Sequence, residues 1–308
     1  RMINTIRWGQ VETYLAAREI ASQFLGQRNG GGQHHLSAIG HAHIDTAWLW
    51  PIAETKRKCV RTFSSALRLM EAYPDFKFAC SQMQQLAWIK AEYPSLYARI
   101  KDKVASGQFI PVGGTWVEPD TNIPSGESLV RQFLYGQQFL QQEFGSISHV
   151  FWEPDVFGYS AALPQIMHQA GIHYFLTQKL SWNEFNQPAR HTFLWEGLDG
   201  SQVLAHFPPA DTYNSVADVR DVLHDVRNFK DHERANESYL LFGYGDGGGG
   251  PTAEMLEQLA RMTDVNGLPL VTQRTPEEFF ERAEDDLEDA TRWVGELYFE
   301  NHRGTYTT

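Results

Sequence analysis

Three stretches of the chain concentrate side chains able to bind a metal ion or move a proton. In the first, Gly40-His41-Ala42-His43-Ile44-Asp45-Thr46-Ala47-Trp48, the residues His41, His43 and Asp45 alternate directly after an apolar run. Extended backbone turns residues two apart to the same side, so these three share a face. Imidazole nitrogens and a carboxylate converging there suit zinc or a similar divalent ion, and either histidine can serve instead as the partner that orients a ligand. A single histidine in this setting reads first as a hydrogen-bonded core residue, but three polar groups at one strand end reverse that weighting.

The second stretch runs from Val150-Phe151-Trp152 into Glu153, Pro154 and Asp155, then Phe157 and Gly158. Asp155 suits a metal ligand, a nucleophile or both, and with Pro and Gly around it also suits a turn or a helix cap. Glu153 reads as structural or solvent-facing. The third stretch, from Tyr239 to Thr252, is an apolar run followed by a loop with six glycines and the start of a helix. Gly243, Gly245 and Gly248 satisfy the G-x-G-x-x-G spacing of a dinucleotide-binding loop. Asp246 argues against that reading, because a carboxylate repels a pyrophosphate, and the motif falls late in the chain. The competing reading lets the glycines bring backbone close to a substrate while Asp246 projects into a site as a general acid. Asp211, in the run 206–213, and Trp116, Glu118 and Asp120, after the run at 109, are lesser candidates that read first as ordinary loop carboxylates or packed aromatics.

Elements that position such residues are legible around them. Apolar runs at 36–40, 76–80, 109–113, 149–152, 172–177, 203–206, 239–242 and 268–271 alternate with helical patterns, the signature of a parallel sheet covered by helices. Leu129, Phe133, Gly136, Leu140 and Phe144 lie on one helical face closed by Gly145, and Thr275-Pro276-Glu277-Glu278 is a capping box. Seven or eight such units favour an α/β barrel, whose strands present catalytic groups at their C-terminal ends. Residues 3–25 read as one amphipathic helix of a preceding element, and Gly30-Gly31-Gly32 as a flexible joint, which divides the chain into 1–34 and a main domain over 35–308.

The 26 Lys plus Arg against 38 Asp plus Glu give a formal charge of -12, which disfavours nucleic acid or an anionic membrane as partner. Cys59 and Cys80 are too few for a disulfide framework and not spaced as a zinc finger, so a reducing cytoplasmic compartment is expected. There is no run of about 18 apolar residues. Nine Trp suit carbohydrate faces or a large core. Arg1 before Met2 and an end at Thr307-Thr308 read as a fragment of a longer protein; self-association is left open.

On four collinear motifs the chain resembles the catalytic domain of family 38 glycoside hydrolases, the class II α-mannosidases, in particular their bacterial and cytosolic branch. The motifs are Gly40 to Pro51, Pro154 to Ser160, Gly245 to Thr252, and Glu296-Leu297-Tyr298 with His302-Arg303-Gly304-Thr305-Tyr306-Thr307-Thr308. The resemblance implies a seven-stranded α/β barrel with zinc on His43, Asp45 and Asp155, the last also the nucleophile of a retaining mechanism. It implies zinc-bound 2- and 3-hydroxyls of a mannose ring, Trp48 stacked on that sugar and Phe157 beside it. Retention needs two carboxyl groups about 5–5.5 Å apart, and Asp246 is the best acid partner for Asp155. Lys179 stands where some relatives have Arg, and His302 where some have Trp; with Asp211 they are expected to contact substrate. The family's fourth zinc ligand is a His downstream of the position matched by Thr308, so weak metal binding and little activity are expected of these 308 residues alone. The expected substrate is an α-mannoside oligosaccharide. A metal-dependent polysaccharide deacetylase, with similar strand-end ligands, is the alternative enzyme, and a noncatalytic sugar-binding module the alternative from another class.

Overall fold

A computed structural model describes residues 2–30, 33–286 and 289–301. Its strands are β1 (His35–His41), β2 (Phe78–Gln82), β3 (Phe109–Thr115), β4 (Val150–Trp152), β5 (Tyr174–Leu176), β6 (Thr192–Glu196), β7 (Gln202–His206), β8 (Glu237–Phe242), β9 (Leu270–Gln273) and β10 (Arg292–Val294). All eight strands expected from the apolar runs form, within about two residues of their expected ends. Two were not foreseen, β6 and β10, the latter wholly exposed and without a buried face to mark it.

The strands form two five-stranded sheets. One runs β3-β2-β1-β8, all parallel, with β9 also on β1; the other runs β10-β6-β7-β5-β4. β8 covers one edge of β1 from His35 to Gly40, while the opposite edge is divided between β9 at His35 to Ala38 and β2 at Gly40 and His41. The expected closed seven-stranded barrel is not confirmed: among the described residues no ladder joins β3 to β4 or β7 to β8. β7 has no edge left for β8, because β5 pairs along one side in parallel and β6 along the other antiparallel. The fold is therefore mixed α/β with largely parallel sheets.

The sheets nevertheless face one another. Ile39, Ala79, Val112, Val150, Trp152, Leu176, Leu204, Tyr239 and Leu241, drawn from both, pack into one interior cluster. Their neighbours one residue away, such as Ala38, Phe78, Leu240, Phe151 and Phe175, pack outward into two clusters under the helices. A strand buried on both faces reads as a continuous apolar run, which is what made these strands legible. The helix Gly126–Phe144 starts at a Ser125 side-chain cap, buries Leu129, Phe133, Gly136 and Leu140, and ends at left-handed Gly145. The expected capping box forms, with Thr275 and Glu278 each donating a backbone N–H to the other's side chain.

The N-terminal segment differs from expectation. A break at Gly9 divides it into Met2–Thr5 and Val11–Leu25, and the longer helix buries only Ala17 while Val11, Leu15 and Phe24 stay exposed. Arg28 and Asn29 are hydrogen-bonded to Asp264, Val265 and Leu268; Gly31 and Gly32 of the expected joint lie outside the described residues. No helix among the described residues is long and apolar enough to cross a membrane.

Candidate active site

Beyond the C-terminal end of β1 the chain leaves the sheet but keeps its alternation, so His43 continues the inward face of Ile39 and His41. The turn is pinned by side chains from other elements: Gln82 and Gln85 both donate to the Ile44 carbonyl at 2.8 Å, and Thr55 donates to that of Thr46 at 2.8 Å. His43 Nε2 then lies 3.2 Å from Asp45 Oδ1 and 3.3 Å from Asp155 Oδ2, both side chains partly open to solvent. Its Nδ1 lies 2.8 Å from Glu118 Oε2 in a fully buried contact, angled away from a straight hydrogen bond. Ser81 donates to the other Glu118 oxygen.

Asp155 follows β4 in a loop held from below. Thr121 and Asn122 donate to the Gly158 carbonyl at 2.6 and 3.0 Å, and Tyr159 exchanges backbone hydrogen bonds with Leu297 of the fourth motif. The ammonium of Lys179 pairs with Asp155 Oδ1, sits 3.4 Å from the centre of the Trp182 ring and 4.6 Å from that of Phe157, and is itself buried. The Tyr213 ring meets His43 edge-on, and burial, reinforced by the nearby Asp155 carboxylate, raises the pKa of its hydroxyl.

Asp246 arrives from the glycine loop after β8. The loop folds back on itself through paired backbone bonds between Tyr244 and Gly250, and Asp246 N–H donates to the His43 carbonyl at 2.6 Å. Gly245 sits where a Cβ would come within 2.6 Å of Asn214 Oδ1 and 3.1 Å of the His43 carbonyl, so this glycine serves close backbone approach to the first motif, against the dinucleotide reading. One ligand atom each from His43, Asp45 and Asp246 lies within 4.8 Å of the others.

These residues line one cavity of about 290 Å³, with Trp48, Trp50, Phe157, Trp182 and Tyr213 as aromatic walls and Asp120, Glu118 and Lys179 among the charged ones. Three carboxylates around His43 and a fourth behind it, with Lys179 as the lysine among the described lining residues, make a setting that favours a bound cation. An imidazole nitrogen facing two or three carboxylate oxygens, its other nitrogen held by a buried Glu, is a donor set that fits zinc. Burial opposes charge on His43, but Glu118, Asp45 and Asp155 outweigh it and raise its pKa well above the ordinary value. Burial would also raise Asp155, yet His43 and then Lys179 hold it down at about 2. Asp246 moves the other way: burial raises it, Asp45 and Asp155 add to that, and His43 and Lys58 oppose. Two neighbouring carboxyls are thus driven apart in proton affinity, the condition for dividing nucleophile from acid.

Of the expected site residues, His43, Asp45, Trp48, Asp155, Phe157, Lys179 and Asp246 come together. Asp211 lines a separate cavity of about 30 Å³ with His191 and Lys230, bonded to Asn228 at 2.9 Å, and His302 lies outside the described residues. His41 does not line the pocket: its Nε2 accepts from Trp152 Nε1 at 3.2 Å, and burial followed by His43 presses its pKa to about 3. Glu153, expected to be structural or solvent-facing, is wholly buried with no partner for either oxygen, and burial, reinforced by Glu118, raises it well above the ordinary carboxyl range. Sequence reasoning missed Tyr213, although it had singled out the run 206–213 that ends on it.

Known proteins resemble the chain in sequence and fold. The profile described as "Glycosyl hydrolases family 38 N-terminal domain" matches residues 33–296. Alpha-mannosidase 2C1 of Homo sapiens is 57% identical over 308 residues, 100% of this chain and 30% of the relative; Alpha-mannosidase G of Dictyostelium discoideum is 53% identical, again over the whole chain and 28% of the relative. The chain thus spans about 30% of the length of these curated relatives. Among solved structures, an alpha-mannosidase from Enterococcus faecalis V583 superposes with a TM-score of 0.74 at 20% identity, over 86% of this chain and 31% of that one, a likeness of fold.

Proposed function

The chain belongs to glycosyl hydrolases family 38, and on that premise we propose that it forms the N-terminal catalytic part of a zinc-dependent retaining α-mannosidase acting on terminal α-mannosyl residues of oligosaccharides. The observation that carries this reading is the convergence of His43, Asp45, Asp155 and Asp246, from three separate segments, in one aromatic-walled cavity. His43, Asp45 and Asp155 would hold the zinc, with a further histidine from beyond Thr308. When bound, the ion would supply Lewis-acid charge and a clamp for the 2- and 3-hydroxyls of the sugar.

The rest is the work of this chain's own groups. Trp48 and Phe157 receive the apolar face of the ring and exclude water from it, while Lys179 keeps Asp155 ionised and in line. A carboxylate oxygen of Asp155 bonds to the anomeric carbon as the glycosidic C–O bond breaks, and the proton of Asp246 passes to the leaving oxygen. Water then attacks the same carbon, its proton returns to Asp246, and the ester bond to Asp155 breaks, giving retention. Free, buried Cys59 and Cys80 support a cytoplasmic location.

The proximity of Asp246 to His43 and Asp45 favours a second assignment, Asp246 as a ligand. Asp246→Asn separates the two: a ligand's loss weakens zinc binding, whereas an acid's loss spares it and leaves a variant that azide rescues with activated aryl mannosides. For the reaction itself, a fluorinated mannoside should label the Asp155 peptide of the full-length protein. An active protein that takes the label elsewhere, or releases acetate from an acetylated glycan instead, sinks the proposal.

A further inference from the structure

Asp246 has a backbone φ of 56°, in the left-handed region that residues other than glycine enter at a cost. Such a conformation persists only where its surroundings over-determine it, and three partners do so here. Its N–H donates to the His43 carbonyl at 2.6 Å, the preceding Gly245 N–H donates to Asn214 Oδ1 at 2.9 Å, and its own carbonyl accepts from Lys58 Nζ at 2.7 Å. Lys58 belongs to the helix Ile52–Ala72, none of whose residues lines the pocket.

The lysine is held as firmly as the loop it holds. Its ammonium lies 3.2 Å from the centre of the Trp50 ring, close enough for a strong cation–π contact, and Trp50 Nε1 is anchored on Thr55 Oγ1 at 3.0 Å. The aliphatic stem crosses Gly247, where a Cβ would stand 2.5 Å from Lys58 Cδ and 2.7 Å from Cγ, at a φ of +87°. The space a side chain would need at 247 is therefore filled by the lysine.

We propose that Lys58 is a positioning residue that latches the Asp246 loop through Trp50 and Gly247, fixing how far the Asp246 carboxylate reaches toward His43 and Asp45. The inference rests on the reading of Asp246 as a working carboxylate of the site. With its N–H tied to one element and its C=O to another, Asp246 cannot rotate about its backbone without breaking a bond. Trp50 walls the same cavity, so the latch ties the wall to the carboxylate. Misplacing a reacting group by about 1 Å costs on the order of a hundredfold.

The test uses the full-length protein. Lys58→Met should lower kcat about 10- to 100-fold with KM within about threefold, and Lys58→Arg, which keeps charge and donors, should recover most of the loss. In metal-free protein, hydrogen exchange of the Asp246 amide should quicken at least about tenfold in Lys58→Met while the helix carrying residue 58 is unchanged. Gly247→Ala should reproduce the kinetic defect, and in a Lys58→Ala background should cost less than in the parent, because the stem it displaces is gone and only the strain of an alanine at a φ of +87° remains. The latch is overturned if Lys58→Met leaves kcat and that amide unaltered, or if the two substitutions act independently. Asp246→Asn tells the two failures apart: harmful while Lys58→Met is silent, only the latch falls; harmless for both zinc affinity and turnover, the reading of Asp246 falls and the latch with it.

Discussion

Asp225 offers a test of the electrostatics on a group remote from the pocket. It lies on the helix Val219–Asn228, wholly buried against β8, where Oδ1 accepts from Ser238 and Oδ2 has no partner. Burial raises its pKa from 3.8 to about 8, outweighing the bond from Ser238. Folded Asp225 keeps its proton where the unfolded chain has lost it, so the unfolded state binds fewer protons and stability falls as pH rises. The loss begins near pH 4 and is complete above about 8, at about 1.4 kcal/mol for each tenfold step between. Asp225→Asn keeps the acceptor for Ser238 and removes the titration. Between pH 5.5 and 8 the variant should gain about 3 kcal/mol relative to the parent, or about 6 °C in Tm. Paired urea or thermal unfolding at several pH values measures this difference, and every other titrating group cancels in it. A difference constant to within about 0.5 kcal/mol across that interval would refute the claim that Asp225 is buried with its proton.

Gly136 faces β3 so closely that a Cβ would lie 2.3 Å from the Gly114 carbonyl, so Gly136→Ala should cost about 3 kcal/mol, read from the denaturation midpoint at unchanged m. Tyr213→Phe removes a hydroxyl near the Asp155 carboxylate in the shared cavity while keeping the ring against His43; kcat should drop about tenfold with KM little changed, and equal values would remove Tyr213 from the site. Chelation should lower both turnover and melting temperature of the full-length protein, with zinc restoring both; full activity after exhaustive chelation would count against the metal reading.

The parts of the molecule legible in the residues, and the parts that were not, divide along a physical line. The doubly buried strands announced themselves as apolar runs, and His43, Asp45 and Asp155 were visible because each lies a few steps beyond such a run. Glu118 reads first as an ordinary loop acid because it follows an apolar run; what the residues do not reveal is that the register between β2 and β3 jumps from Cys80 opposite Pro111 to Gln82 opposite Thr115, a bulge that re-aims the residues after it. β6 escaped notice although it decides whether the sheet closes, since it takes the β7 edge that β8 would need. Lys58 carries no motif at all; its role depends on contact with a loop far along the chain, at Asp246.

The divided edge of β1 bears on how the chain is made. This strand leaves the ribosome first among the strands, yet its principal neighbour, β8, begins at Glu237 and the strand completing its other edge ends at Gln273. At roughly 5–20 residues per second, the central strand waits on the order of ten to forty seconds with most of its backbone N–H and C=O groups unpaired. High contact order of this kind slows folding and exposes nascent chains to aggregation. The same delay means that His43 cannot meet Asp155 and Asp246 together until synthesis has passed Asp246, so the cavity they line is completed only late in the making of the chain.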